Sequence, residues 1–353
     1  MWGVAIVVVV GAECLEVGLN TISKAAMSRG MNNFIYSSYS TTLGVLFLLP
    51  LSFFFHRMTS PPPKLTSSTL TKLCLLGAIG YFVQMCMYLG IQCSSPTLAS
   101  ALTNLVPAFT FILACVGGME KLELKSKSSQ AKSIGTIISI LGAFTVTFYK
   151  GPAIIFPSPS SISLHELLQS PPQQYWVFGG FLIASGSFSL AVLMIVQTWI
   201  MKDYPAPVMV TLLGSVFTSI FATAVALILE RDPNAWKIRP DLELVTIVYA
   251  AIFSVSLRNI ILTWAVLKKG PVFVTMFKPL SIVIALAMGI AFLGDTLYLG
   301  SVTGAIIIAL GFYSVLWGKA EEEKAIVEIN GTNGFGPNSE KFPLLQKKCT
   351  EEA

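Results

Sequence analysis

The chain has 353 residues, 54% of them hydrophobic and 12% charged, with a net charge of +5 at pH 7. A soluble domain carries roughly 25% charged residues, and half that share leaves too little polar surface to keep so long a chain in water. The positive charge is no nucleic-acid footprint, because the basic residues sit in short loops between apolar runs, and six cysteines without CxxC spacing beside two histidines offer neither a disulfide framework nor a metal site, so no cofactor is expected.

Ten apolar runs approach the ~20 residues that a bilayer requires. They are 2–22, 34–55, 70–92, 97–117, 133–149, 176–198, 208–229, 243–265, 272–292 and 298–317, which predicts an all-α membrane protein of ten transmembrane helices. The first begins at Trp2 without a basic leader or a small-residue cleavage site, so it reads as a retained helix. It carries Glu13 and Glu16, three apart on one helix face, with Asn20 four further on. Two carboxylates this close suit a site for a proton or an ammonium group; the other reading is a structural bridge to a cation elsewhere in the chain. The third span contributes Gln84, the fourth Asn104 and Pro107, the sixth Gln197. These amides are candidates for a polar cavity or for hydrogen bonds between helices. The fifth span is short. Residues 151–175, rich in Pro and Ser, read as an outer linker between two halves.

The eighth span holds Arg258 and Asn259, and the ninth holds Lys278 and Pro279 side by side. A charge at a helix centre costs about 2.5–3.5 kcal/mol on insertion scales. Arg258, Lys278, Glu13 and Glu16 should therefore face a wet cavity, one another or protein interior. The planar fork of Arg258 matches a carboxylate or phosphate, and Lys278 could instead snorkel to the surface. Pro107 and Pro279 release the carbonyls of Thr103 and Thr275, which predicts kinks where helices line a cavity.

The tail, 319–353, is polar and reads as disordered. Fifteen of the 23 lysines and arginines fall on the inner side if both termini are cytosolic, and six on the outer. The "EKFPLL" segment, with Glu340 four residues before Leu344–Leu345, resembles an acidic dileucine sorting signal, which points to a plasma or vacuolar membrane. The "NGT" sequon at 330–332 should stay unmodified in this orientation.

The halves repeat. Pro96 aligns with Pro271, Glu120 with Asp295 and Leu122 with Leu297; past a loop six residues longer in the first half, Gly135 and Gly142 align with Gly304 and Gly311. Five spans per half is an odd number, so the second copy enters from the opposite face and the repeats, 2–150 and 176–318, are inverted. The glycines read first as close helix contacts.

The segments "SPTLASALTNLVPAFTFILA", "VQTWIMKDYPAP", "AWKI", "TWAVLKKGPVF", "MFKPLSIVIALAMGIAFLGDTLYLGS" and "GFYSVLWGKAEEE" resemble the plant drug/metabolite transporters of the EamA type, in the Walls-Are-Thin-related group also called "usually multiple acids move in and out". The resemblance implies two five-helix EamA units, a lipid bilayer as setting and a small-molecule solute as partner. It points to facilitated movement of amino acids or related organic acids, with auxin as the alternative cargo and a proton as a candidate coupled ion; it leaves the oligomeric state open. Two readings from other classes stand beside it. A non-transporting receptor or scaffold would use the same fold. An intramembrane enzyme has little support, since "HELLQ" at 165–169 ends in Gln169 where a zinc site needs His.

Overall fold

The computed structural model describes residues 2–27, 31–58, 65–93, 102–119, 127–149, 151–155, 176–233, 235–238, 241–288 and 297–332. Its first half holds α1 (Trp2–Met27), α2 (Asn33–Met58), α3 (Ser67–Cys93), α4 (Val106–Val116) and α5 (Lys127–Phe148), followed by the short strand β1 (Ala153–Ile155). The second half holds α6 (Trp176–Asp203) and α7 (Pro207–Leu229), then α8 (Leu242–Tyr249), which runs through a π-helical segment (Ala250–Arg258) into α9 (Asn259–Lys269). After Gly270 come α10 (Pro271–Thr275), α11 (Leu280–Met288), β2 (Leu297–Tyr298) and α12 (Leu299–Thr332).

The described residues of the predicted spans lie mostly in helices or helical pieces. Among the described residues seven helices are long and apolar enough to cross a membrane: those spanning 3–20, 33–54, 67–90, 177–203, 207–229, 242–269 and 299–318. Among the described residues the fourth and ninth spans hold shorter apolar helical stretches, Val106–Val116 and Pro271–Ala285. The first turns of α5 are diluted by Lys127, Ser128, Ser129, Gln130, Lys132 and Ser133.

The distribution of side chains is that of a protein solvated by hydrocarbon. Val4 and Val7 on α1, Phe53 and Phe54 on α2, and Leu310 and Tyr313 on α12 face outward, whereas Glu13, Ser37, Thr41, Thr246 and Ser256 are buried. In water such a surface would aggregate. In a bilayer it costs nothing, provided that the interior satisfies every polar group. Hydroxyls do this locally, as Thr41 Oγ1 donates to the Ser37 carbonyl at 2.7 Å, and between helices, as in Ser38–Thr223 at 2.9 Å and Thr42–Ser219 at 2.7 Å, which tie α2 to α7.

The most extensive interface joins α5 to α12. A methyl on Gly135 would lie 2.6 Å from the Gly311 carbonyl oxygen, and one on Gly142 would lie 3.0 Å from that of Gly304. Only glycine permits this approach. The short antiparallel ladder of β1 and β2, with Ala153 opposite Tyr298, clips the same two helices together beyond their ends, a β element absent from the all-α expectation. Elsewhere α3 packs on α6 and α7, α2 on α7 and the π-helical segment, and α1 on α8, the π-helical segment, α9 and α11.

The tail departs from expectation. Helix α12 continues past Gly318 to Thr332, so 319–332 is helical rather than disordered. The stretch "KAEEEKAIVEI" is rich in the strong helix formers Ala, Glu and Lys, and extending an existing helix avoids the nucleation cost. Glu120, Asp295, the "HELLQ" stretch and the dileucine segment lie outside the described residues.

Candidate functional site

Helix α1 brings Glu13 and Glu16 to one face because they are three residues apart. That face meets the end of the π-helical segment, which carries Arg258, and the break in the ninth span, which carries Lys278. Lys278 Nζ lies 2.6 Å from Glu16 Oε2 and 3.3 Å from Glu13 Oε2. Arg258 Nη2 donates to Glu16 Oε2 and stands 3.9 Å from Glu13 Oε1. The two carboxylates and two cations form one neutral cluster. Glu13 is the deepest, its side chain 1% exposed, against 13% for Arg258 and 11% for Lys278. Lys278 therefore does not snorkel: its ammonium points inward to the carboxylates. Both cations serve both acids. Glu13 Oε1 and Arg258 Nε are buried without a hydrogen-bond partner among the described residues, so the cluster keeps unused acceptor and donor capacity.

The break in the ninth span aims Lys278. Pro279 has no amide hydrogen to offer the Thr275 carbonyl, and the Lys278 amide takes that carbonyl instead, at 3.0 Å. Successive three-residue bonds, Leu280 to Phe277 at 3.1 Å and Ser281 to Lys278 at 3.1 Å, carry the chain through the break into α11. The fourth span breaks in the same manner. Residues 102–103 are helical, Asn104 and Leu105 form a turn, and α4 restarts with Pro107 in its first turn. Both prolines line one small crevice with Thr136, Ser139, Met276, Phe312 and Val315, with room for about one water molecule.

The other sequence candidates separate. Asn259 adjoins Arg258 and is half-buried; its carbonyl accepts from Thr263 Oγ1 at 2.6 Å. That hydroxyl also receives Gln197 Nε2 at 2.6 Å and Thr211 Oγ1 at 2.9 Å, so Gln197 joins α6, α7 and α9 in a helix–helix tie. Gln84 accepts from Ser37 Oγ at 2.9 Å, between α3 and α2. Asn104 is buried at the turn that precedes α4. Asn20 is exposed.

Along α1 the charges lie between two apolar clusters. On one side Ala5, Val9 and Ala12 pack with Met194, Leu262, Val266, Phe273 and Phe277. On the other Leu19 packs with Tyr36, Ile247 and Ala250, beside Tyr88 and Tyr249. The rings of Tyr36 and Tyr88 meet edge to face at 6.1 Å, and Tyr249 donates to the Leu15 carbonyl at 3.3 Å, next to Glu16. Sequence reasoning missed these tyrosines and the π-helical segment; tyrosine inside an apolar run carries no local signal of what it covers.

Residues 3–148 and 177–317 match the EamA-like transporter family. Three WAT1-related proteins of Arabidopsis thaliana are similar to the chain over nearly their whole length. One is 45% identical, covering 96% of this chain and 94% of its own; a second is 41% identical, covering 96% and 91%; a third is 46% identical, covering 94% and 93%. A protein crystal structure 14% identical to the chain superposes with a TM-score of 0.64, covering 88% of this chain and 98% of its own, a likeness of fold.

Proposed function

The chain belongs to the EamA-like transporter family, and from that premise we propose that it carries small organic solutes, amino acids or related organic acids, across a membrane by alternating access. The observation that carries this reading is the neutral cluster of Glu13, Glu16, Arg258 and Lys278, drawn from three elements and buried between two apolar clusters. Breaking a buried ion pair by removing one partner costs about 3–5 kcal/mol, and apolar residues often fill such a place at no loss of stability. A chain that needed only a stable core has little use for four such groups. A solute carrying a carboxylate and an ammonium group replaces both kinds of partner: its carboxylate takes Arg258 and Lys278, and its ammonium takes Glu13 and Glu16. The cluster closes on itself when no solute is present. The two flanking apolar clusters then act as inner and outer gates of an occluded form.

Ten membrane helices in two inverted five-helix repeats complete the proposal. The family matches each half separately, which supports it. So does the packing of equivalent helices, α2 on α7 and α5 on α12. The sequence repeat equates Gly135 with Gly304 and Gly142 with Gly311, whereas the contacts join Gly135 to Gly311 and Gly142 to Gly304. Such exchanged pairs are what a two-fold axis between two like helices generates. We place both termini in the cytosol, in a plasma or vacuolar membrane.

The test is uptake into vesicles holding the purified full-length protein, with amino acids and auxins offered at several pH values. Uptake of amino acids, lost in Arg258→Ala and in Lys278→Ala, is the expected result. Unchanged transport in both variants refutes the site. Transport of auxin alone moves the reading to the organic acids, and failure of the whole screen favours a receptor or scaffold.

A further inference from the structure

The π-helical segment is the one stretch of the eighth span whose register differs from an ordinary helix, and Arg258 is its last residue. Counted as a continuous α-helix at about 100° per residue, the buried face that holds Thr246 and Ala250 would run on through Phe253 and Leu257. Arg258 would then stand about 120° away from Thr246. The structure is otherwise. Thr246, Ala251 and Ser256, five residues apart, are all buried, and Leu257 is 42% exposed. The wider turn has moved Leu257 out, and Arg258, next in the chain, turns with it and meets Glu16 of α1.

What holds this register is in view. Ser256 Oγ lies 2.7 Å from the Ala251 carbonyl, five residues back, and 3.2 Å from the Gly44 carbonyl of α2. A methyl on Gly44 would come 2.5 Å from Val255 Cγ1 and 3.3 Å from the Ala251 carbonyl oxygen, so α2 and the π-helical segment touch backbone to backbone at this point. π-helical turns are rare and cluster at functional sites. We infer that Ser256, seated against Gly44, is a positioning residue: it fixes the π-helical register and thereby sets Arg258 against Glu16 and Glu13. Its effect on solute affinity rests on the transporter reading; its effect on the ion cluster does not.

A double-mutant cycle on the purified full-length protein separates the two. Tm is measured for the parent, Ser256→Ala, Glu16→Gln and the double variant. If Ser256 positions Arg258 on Glu16, the Tm loss caused by Glu16→Gln falls by about half or more in the Ser256→Ala background, because neighbours acting on one contact are not additive. Equal losses in both backgrounds overturn the inference. Ser256→Thr keeps the hydroxyl and should keep the full coupling; its loss there also overturns it. Should Ser256→Ala not fold, Ser256→Cys, which keeps the volume and weakens the hydrogen bond, replaces it in the cycle with the same expectation. In vesicles, with tritiated L-glutamine as probe, Ser256→Ala should raise KM about three- to tenfold, the scale of one hydrogen bond, with maximal rate within about twofold. An unchanged KM in a parent that transports counts against the inference; absence of transport in the parent defeats the transporter reading and leaves the cycle to decide.

Discussion

The charge cluster makes a sign-specific prediction about stability. Removing Lys278 by Lys278→Ala takes one positive charge from a neutral set of four. Glu13, 1% exposed, loses its contact at 3.3 Å and keeps only Arg258 at 3.9 Å; Glu16 keeps its bond to Arg258. An uncompensated buried carboxylate of this kind costs about 3–5 kcal/mol. At roughly 2–4 °C per kcal/mol for chains of 150–250 residues, less for a longer one, Tm should fall by on the order of 5–15 °C. Glu13→Gln in the same chain takes away the stranded charge and leaves Arg258 paired with Glu16. The double variant is then neutral again, and should melt above the Lys278→Ala single variant although it carries one more substitution. Thermal melting in detergent at two salt concentrations reads this directly, and the order should hold at high salt, because buried charges are little screened. A double variant that melts below the single by the full cost of Glu13→Gln alone would mean that the two residues do not share a site, and the neutral-cluster argument would fail.

Three further outcomes follow from other parts of the fold. Gly135→Ala and Gly142→Ala should each destabilise by about 1–3 kcal/mol through overpacking, since their methyls meet backbone of α12 within 3.0 Å; Gly11→Ala, with nothing within 4 Å, should be neutral or stabilising by helix propensity, and equal melting of all three would refute the close crossing of α5 and α12. Pro279→Ala returns an amide hydrogen that competes for the Thr275 carbonyl now held by Lys278, so it should straighten the ninth span and slow transport while leaving Tm unchanged or higher; a variant with parental transport removes the break from the mechanism. Asn330 should carry no glycan when the protein is expressed in plant cells, and a mass shift removed by an endoglycosidase would place the C-terminal end of the chain on the outer side.

The four charges were legible as a group because the bilayer penalises each of them, and that penalty can be read from one position at a time. Their pairing was not. Whether Glu16 meets Arg258 or Lys278 depends on how three helices rotate about their axes, and no single segment encodes that rotation. The π-helical segment shows the limit in its sharpest form. Its buried residues come as two adjacent pairs five positions apart, Ala250–Ala251 and Val255–Ser256, a period that neither the strand nor the α-helix template contains. Read with the α-helical period, the sequence puts Leu257 inside with Thr246 and Ala250, whereas the structure exposes it. The helical extension to Thr332 failed for the opposite reason: its helix formers were visible, but their polarity was weighed as disorder although a helix already reached Gly318. Local chemistry thus determined which groups must be satisfied, and tertiary contact chose their partners. That division is why Ser256 matters: it is the point at which a backbone contact with α2 fixes the rotation that the eighth span's own sequence leaves open.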